Sequence, residues 1–130
     1  ALMYNPLWVA SEERLRGILD EAKGRFIIGL VGTARHCDEI RDVHESRCSD
    51  YLVFDFGWRR NQRMSNKSCG IIIALHRRPF KDTIGAKYPP PRMLAGRAGA
   101  IRIRRGDAEL LVAEFYIPPN TGSPIRFGQP

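Results

Sequence analysis

The chain is poor in cysteine, in long apolar runs and, over its second half, in acid. Its 130 residues hold three cysteines, Cys37, Cys48 and Cys69. So small and odd a count argues against a disulfide framework and for a reducing, intracellular compartment. No apolar run approaches the roughly 18 residues that suggest a membrane span, so none is expected. The start, Ala1-Leu2-Met3-Tyr4-Asn5, has no basic stretch, and no secretory signal is readable in it. The Asn66-Lys67-Ser68 sequon matters only in a secreted protein and is set aside. No internal repeat or low-complexity tract is visible. The length suits one domain, and 43% hydrophobic residues suit a globular one.

The scarcity of acid is local. Residues 1–58 carry 7 basic and 10 acidic side chains, net −3, whereas residues 59–130 carry 14 and 4, net +10. Arginine dominates the basic part: Arg59, Arg60, Arg63, Arg77, Arg78, Arg92, Arg97, Arg102, Arg104 and Arg105. A guanidinium grips phosphate bidentately, so a polyanion such as nucleic acid is a natural partner. An acidic protein, or a plain basic surface, accounts for the same charge.

Ser11 is a good helix N-cap, with Glu12 and Glu13 in the favourable first turn. Leu15, Ile18, Leu19 and Ala22 follow at helical spacing, and Gly24 is a stop. A short strand at 2–5 precedes this helix, and Phe26–Val31 is a buried strand after it, so the chain opens like a βαβ unit. Residues 33–50 read as a loop or short helix. Further strands are expected at Tyr51–Phe56, Gly70–His76, Ala98–Arg104 and Glu109–Ile117, with a hairpin connection over Arg59–Ser68 and a tight turn at Arg105-Gly106-Asp107. Residues 77–91 read as irregular, closing on Pro89-Pro90-Pro91. The class is α+β or mixed α/β, mostly antiparallel, with one clear helix.

Other constellations are weaker. His36, Cys37, His44 and Cys48 lie close in sequence, but their spacing departs from the Cys-x2-Cys pattern of zinc sites. Cys37 near a His lacks a third orienting group for nucleophilic catalysis. Gly29-x-x-Gly32 lacks the Gly-Lys-Ser/Thr ending of a phosphate loop. Trp58 beside Arg59-Arg60 reads as a base-stacking ring or as a buried strand-end residue.

Four segments carry a resemblance: Tyr4-Asn5; Ile28-Gly29-Leu30-Val31-Gly32-Thr33; Asn66-Lys67-Ser68-Cys69-Gly70 running into Ile71–Leu75; and Gly96-Arg97-Ala98-Gly99 followed by Phe115-Tyr116-Ile117-Pro118-Pro119. In order and spacing they resemble the N-terminal half of the endonuclease/exonuclease/phosphatase superfamily, in flavour the endonuclease domain linked to reverse transcriptases in non-LTR retrotransposons. The resemblance implies a partial two-sheet β-sandwich over residues 1–117, with an extended tail over 118–130. It implies a catalytic edge where both sheets meet, and magnesium as cofactor in an intact homologue. Asn5 and Tyr116 match family positions; Asn5 equally suits a turn before Pro6, and Tyr116 a core aromatic behind Phe115. The family's metal-ligating Glu falls on Gly32, which has no side chain. Its later Asp-x-Asn and Asp-His motifs would lie beyond Pro130.

Asn5 and Tyr116 are therefore kept only as family-matched positions, and no catalytic residue and no metal ligand is assigned. The candidate nucleic-acid or partner-binding residues are Arg59, Arg60, Arg63, Arg77, Arg78, Arg97, Arg102 and Arg104. Arg97 suits a phosphate contact or a carboxylate partner. With half a sandwich, Phe26–Val31, Ile71–Leu75 and Leu110–Tyr116 are expected to leave an apolar face for a missing half or a partner, at about 1.5–3 kcal/mol per exposed side chain. The functional expectation is a non-catalytic relic of a nuclease fold, serving as a structural or binding subunit of a larger assembly. The alternatives are a fragment of an active metal-dependent endonuclease, and an accessory protein that docks on a large complex without nucleic acid.

Overall fold

The structure, a computed structural model, describes residues 2–4, 12–22, 24–33, 36–37, 43–56, 58–59 and 70–116. Strand β1 (Leu2–Tyr4), helix α1 (Glu12–Glu21) and strand β2 (Ile27–Val31) form the βαβ opening, with β1 and β2 parallel and Met3 opposite Gly29. Then follow β3 (His36–Cys37), β4 (His44–Cys48), β5 (Tyr51–Phe56), β6 (Trp58–Arg59) and β7 (Ile71–His76). A single turn of helix, α2 (Arg77–Phe80), leads to β8 (Ile84–Tyr88), a 3-10 turn (Arg92–Leu94), β9 (Ala98–Arg105) and β10 (Ala108–Phe115).

The strands make a five-stranded sheet in the order β1-β2-β7-β5-β4, a three-stranded sheet β10-β9-β8 and a two-stranded ribbon β3-β6. Apart from the parallel β1–β2 and β3–β6 pairs, every ladder is antiparallel. The class is thus α+β.

Period-two alternation gives the large sheet two apolar faces. Ile28 and Leu30 of β2, Tyr51 and Val53 of β5, and Ile72 and Ala74 of β7 pack with Leu15, Ile18, Leu19 and Ala22 of the α1 segment. On the other face Val31, Phe54, Phe56, Ile71, Ile73 and Leu75 meet Ile101 and Ile103 of β9. A run such as Ile-Ile-Ile-Ala-Leu is what a central strand buried on both faces requires. On β9 the alternating Arg102 and Arg104 point away from this core and are exposed.

Three expectations need correction. Residues 33–50 contain the strand His44–Cys48, an edge strand on which only Cys48 is buried, so no alternation marks it. Residues 77–91 are not irregular throughout: α2 and β8 occupy them, and β8 is an edge of the small sheet. The apolar sheet expected to lie bare is covered, because β8–β9–β10 folds back as a second leaf within the same chain. Ile28–Val31 and Ile71–Leu75 are buried, whereas the expected exposure holds at Phe26 and, within Leu110–Tyr116, at Leu110, Leu111 and Phe115. The Arg59–Ser68 connection beyond Arg59, Ile117 and the tail 118–130 lie outside the described residues.

Candidate functional site

At one end of the sandwich four segments are stitched together by backbone hydrogen bonds. The Thr33 N–H donates to the Gly70 carbonyl (3.3 Å), the Gly70 N–H to the Gly96 carbonyl (2.7 Å) and the Tyr116 N–H to the Arg97 carbonyl (2.8 Å). Gly32, Gly70 and Gly96 are buried with φ of 66°, 109° and 77°, a region that side chains avoid. The segments around Gly32, Gly70, Gly96-Arg97 and Tyr116 thus share one edge between the two sheets. Asn5 lies outside the described residues.

What that edge offers chemically is limited. Tyr116 is half-buried and packs against the inter-sheet core. Arg97 is half-buried, with its Nε enclosed and without a hydrogen-bond partner among the described residues. Glu114, two residues before Tyr116, faces the core from β10 opposite Gly99 and is 6% exposed. Among the described residues neither of its carboxylate oxygens has a hydrogen-bond partner, and burial pushes its pKa up to about 8. Asp55 lies on the opposite, α1-side face of the large sheet by alternation with Tyr51 and Val53. A magnesium ion wants several hard, charged oxygens. Gly32 supplies no side chain, and Glu114 is a single carboxyl whose burial disfavours its charged form. The residues described at this edge do not fit the metal.

No group of three or more His, Cys, Asp or Glu side chains able to hold a metal occurs among the described residues. His44 and Cys48 sit four residues apart on one strand, about 13 Å at 3.3 Å per residue, too far to share an ion.

The opposite end holds a cleft of about 630 Å3 lined by Arg47, Asp50, His76, Arg77, Arg78 and Lys81. Arg47 comes from β4, Asp50 from the β4–β5 turn, His76 from the end of β7, and the others from α2 and the residue after it. The Arg77 N–H donates to the Asp50 carbonyl (2.8 Å), and the Lys81 N–H to the Arg77 carbonyl (2.8 Å). The Arg78 N–H donates to His76 Nδ1 (3.3 Å), which leaves the Nε2 of a neutral imidazole as its donor. No cation of the four pairs with a carboxylate among the described residues.

Phe26 stands beside this cleft. The His76 N–H donates to its carbonyl (2.8 Å), and its ring meets the His76 ring edge-on at 6.3 Å. The Tyr51 ring holds His76 from another side at 5.3 Å. The Tyr51 hydroxyl donates to the Ala22 and Arg25 carbonyls (3.1 and 2.8 Å), fixing the segment that carries Phe26. Phe26 itself is 61% exposed.

The structure therefore divides the arginines singled out by charge. Arg77 and Arg78 share the cleft. Arg102 and Arg104 lie on the outer face of β9, where Arg104 Nε is 3.8 Å from Glu109 Oε1, an exposed pair of little strength. Arg97 belongs to the other end. Arg59 lies on β6, and Arg60 and Arg63 are outside the described residues. Arg47, Lys81 and His76 were not among the expected binding residues, and Phe26 was expected only as part of an uncovered apolar face; Arg47 stands in the acidic half, and only the β4–β5–β7 pairing brings it to α2.

No protein-family model matches the chain, and no curated protein matches it. Fold and site together define an α+β protein of two facing sheets with a basic cleft at one end. Among the described residues no helix is long and apolar enough to cross a membrane.

Proposed function

We propose that this chain is a non-catalytic relative of the endonuclease/exonuclease/phosphatase sandwiches that serves as a structural or binding subunit of a larger assembly, through basic surface and the apolar strand β10. One observation carries the reading. At the edge where the resemblance would place the cation, Gly32 stands where the family has its metal-ligating Glu, and it has no side chain to offer an oxygen. Among the described residues this edge presents no set of charged oxygens to hold a cation that would neutralise a phosphate or orient an attacking water. The net +10 of residues 59–130 supports a polyanionic or acidic partner.

Purified chain incubated with magnesium and labelled DNA, RNA and a phosphomonoester tests this. No turnover is expected. Cleavage that a chelator abolishes would overturn the reading.

A further inference from the structure

We propose that the cleft between α2 and the β4–β5 turn is a binding site for single-stranded nucleic acid, in which Arg47, Arg77, Arg78 and Lys81 hold backbone phosphates and Phe26 stacks a base. The proposal deepens the basic-subunit reading and rests on it. It concerns the end of the sandwich opposite Gly32 and Tyr116.

Three observations point to this ligand. First, four cations line one concave space and none is paired with a carboxylate among the described residues. Mutual repulsion makes such a cluster costly unless an anion completes it. Arginine forks and a lysine ammonium are the donors that phosphate oxygens accept from. Second, an exposed aromatic ring stands at the cleft, fixed rather than dangling: the β2–β7 ladder and the Tyr51 hydroxyl hold the Phe26 backbone, and its ring leans on the lining residue His76. A basic groove with an aromatic platform is the arrangement that binds single strands without regard to sequence. An acidic protein segment would use the charges but has no need of the ring. Third, about 630 Å3 is the size of an ordinary ligand pocket.

Asp50 is the one acidic side chain among the described lining residues, and it opposes a phosphate. Its replacement should therefore tighten binding, an effect that general loss of positive charge cannot imitate.

The test is fluorescence anisotropy of the full chain with oligo-dT and oligo-U of about ten nucleotides, across a salt series. Four phosphate contacts predict a slope of log affinity on log salt of about −3, from 0.7 per contact on single strands. Arg77→Ala with Arg78→Ala should flatten the slope by about 1.4. Phe26→Ala should weaken binding roughly tenfold with the slope unchanged. Asp50→Asn should strengthen it about threefold. Arg16→Ala, an exposed cation of α1 outside the lining, should leave both unchanged. Circular dichroism and the melting temperature of each variant verify the fold.

Salt-dependent binding that the arginine pair, Phe26→Ala and Asp50→Asn leave untouched overturns the cleft but keeps the basic-subunit reading. Absence of binding by the parent chain overturns the cleft and removes nucleic acid from that reading. Equal, Phe26-independent binding to phosphatidylserine vesicles or to an oligoglutamate peptide overturns the choice of ligand. Cleavage of the oligonucleotides with magnesium sinks the non-catalytic reading and leaves the cleft standing.

Discussion

The ring of Phe56 in the five-stranded sheet lies against the bare Cα of Gly99 in the three-stranded one, where a Cβ would come within 2.6 Å of the ring's Cγ. The two leaves approach this closely because position 99 has no side chain, and the neighbouring Ile101 and Ile103 are seated by the same approach. Gly99→Ala should force the leaves apart or the ring off its rotamer. The expected loss is about 1–3 kcal/mol of unfolding free energy in urea titration. An unchanged midpoint would show that Phe56 can move aside freely.

The Tyr51 hydroxyl ties β5 to the carbonyls of Ala22 and Arg25 at the end of α1. Tyr51→Phe keeps the ring and removes the donor; the Ala22 carbonyl keeps the Arg25 N–H, while the part-buried Arg25 carbonyl loses its Tyr51 partner. A loss of about 1–2 kcal/mol is expected, with the cleft loosened because the same ring supports His76. Amide hydrogen exchange at Phe26 and His76 should quicken in the variant more than exchange in β9. Uniform quickening would mean that the hydroxyl supports the whole fold and not this corner.

Much of the architecture was legible because burial imposes a pattern. Leu15, Ile18, Leu19 and Ala22 mark one face of α1, and the strand Ile71–Leu75 is apolar at every position since both its faces are covered. Edge strands escape for the opposite reason. His44–Cys48 buries one residue, and Ile84–Tyr88, with Gly85 and Lys87 in it, none fully. Pairing escapes as well: nothing in the order of residues tells that β9–β10 returns to cover the large sheet, so its inner face was expected to be bare. The cleft shows the same limit. Arg77 and Arg78 announce themselves by charge, whereas Arg47 and Phe26 join them through strand register, which a single sequence does not display.

Strand β10 is an edge, hydrogen-bonded on one side to β9 in the described sheet. Leu111 and Phe115 point outward at 58% and 68% exposure. An edge strand of eight residues with exposed apolar side chains is a natural place for another chain to attach. Leu111→Lys with Phe115→Lys should leave the melting temperature close to the parent's, each change costing within about 0.5 kcal/mol. The same pair should abolish co-purification with the native assembly. A doubly substituted chain that still co-purifies rules β10 out as the attachment.

Glu114 gives the fold a pH dependence of unusual sign. An acid held by favourable charges has a lowered pKa and adds stability as pH rises; Glu114 is buried with no hydrogen-bond partner among the described residues, and its pKa rises from 4.5 to about 8. Below pH 4.5 the carboxyl is neutral whether the chain is folded or not, and it contributes nothing to the pH dependence. Between 4.5 and 8 the unfolded chain releases the proton while the folded one keeps it, so stability falls as pH rises. Above about 8 both forms are ionised and the full penalty persists. At about 1.36 kcal/mol per pH unit the loss reaches roughly 3–5 kcal/mol. Glu114→Gln keeps the shape and cannot ionise, so its stability should match the parent's near pH 4.5 and exceed it by several kcal/mol at pH 8. Urea titrations of both proteins at a series of pH values measure the difference. Parallel curves across that range would mean that the carboxylate finds a counter-charge when the chain is in solution.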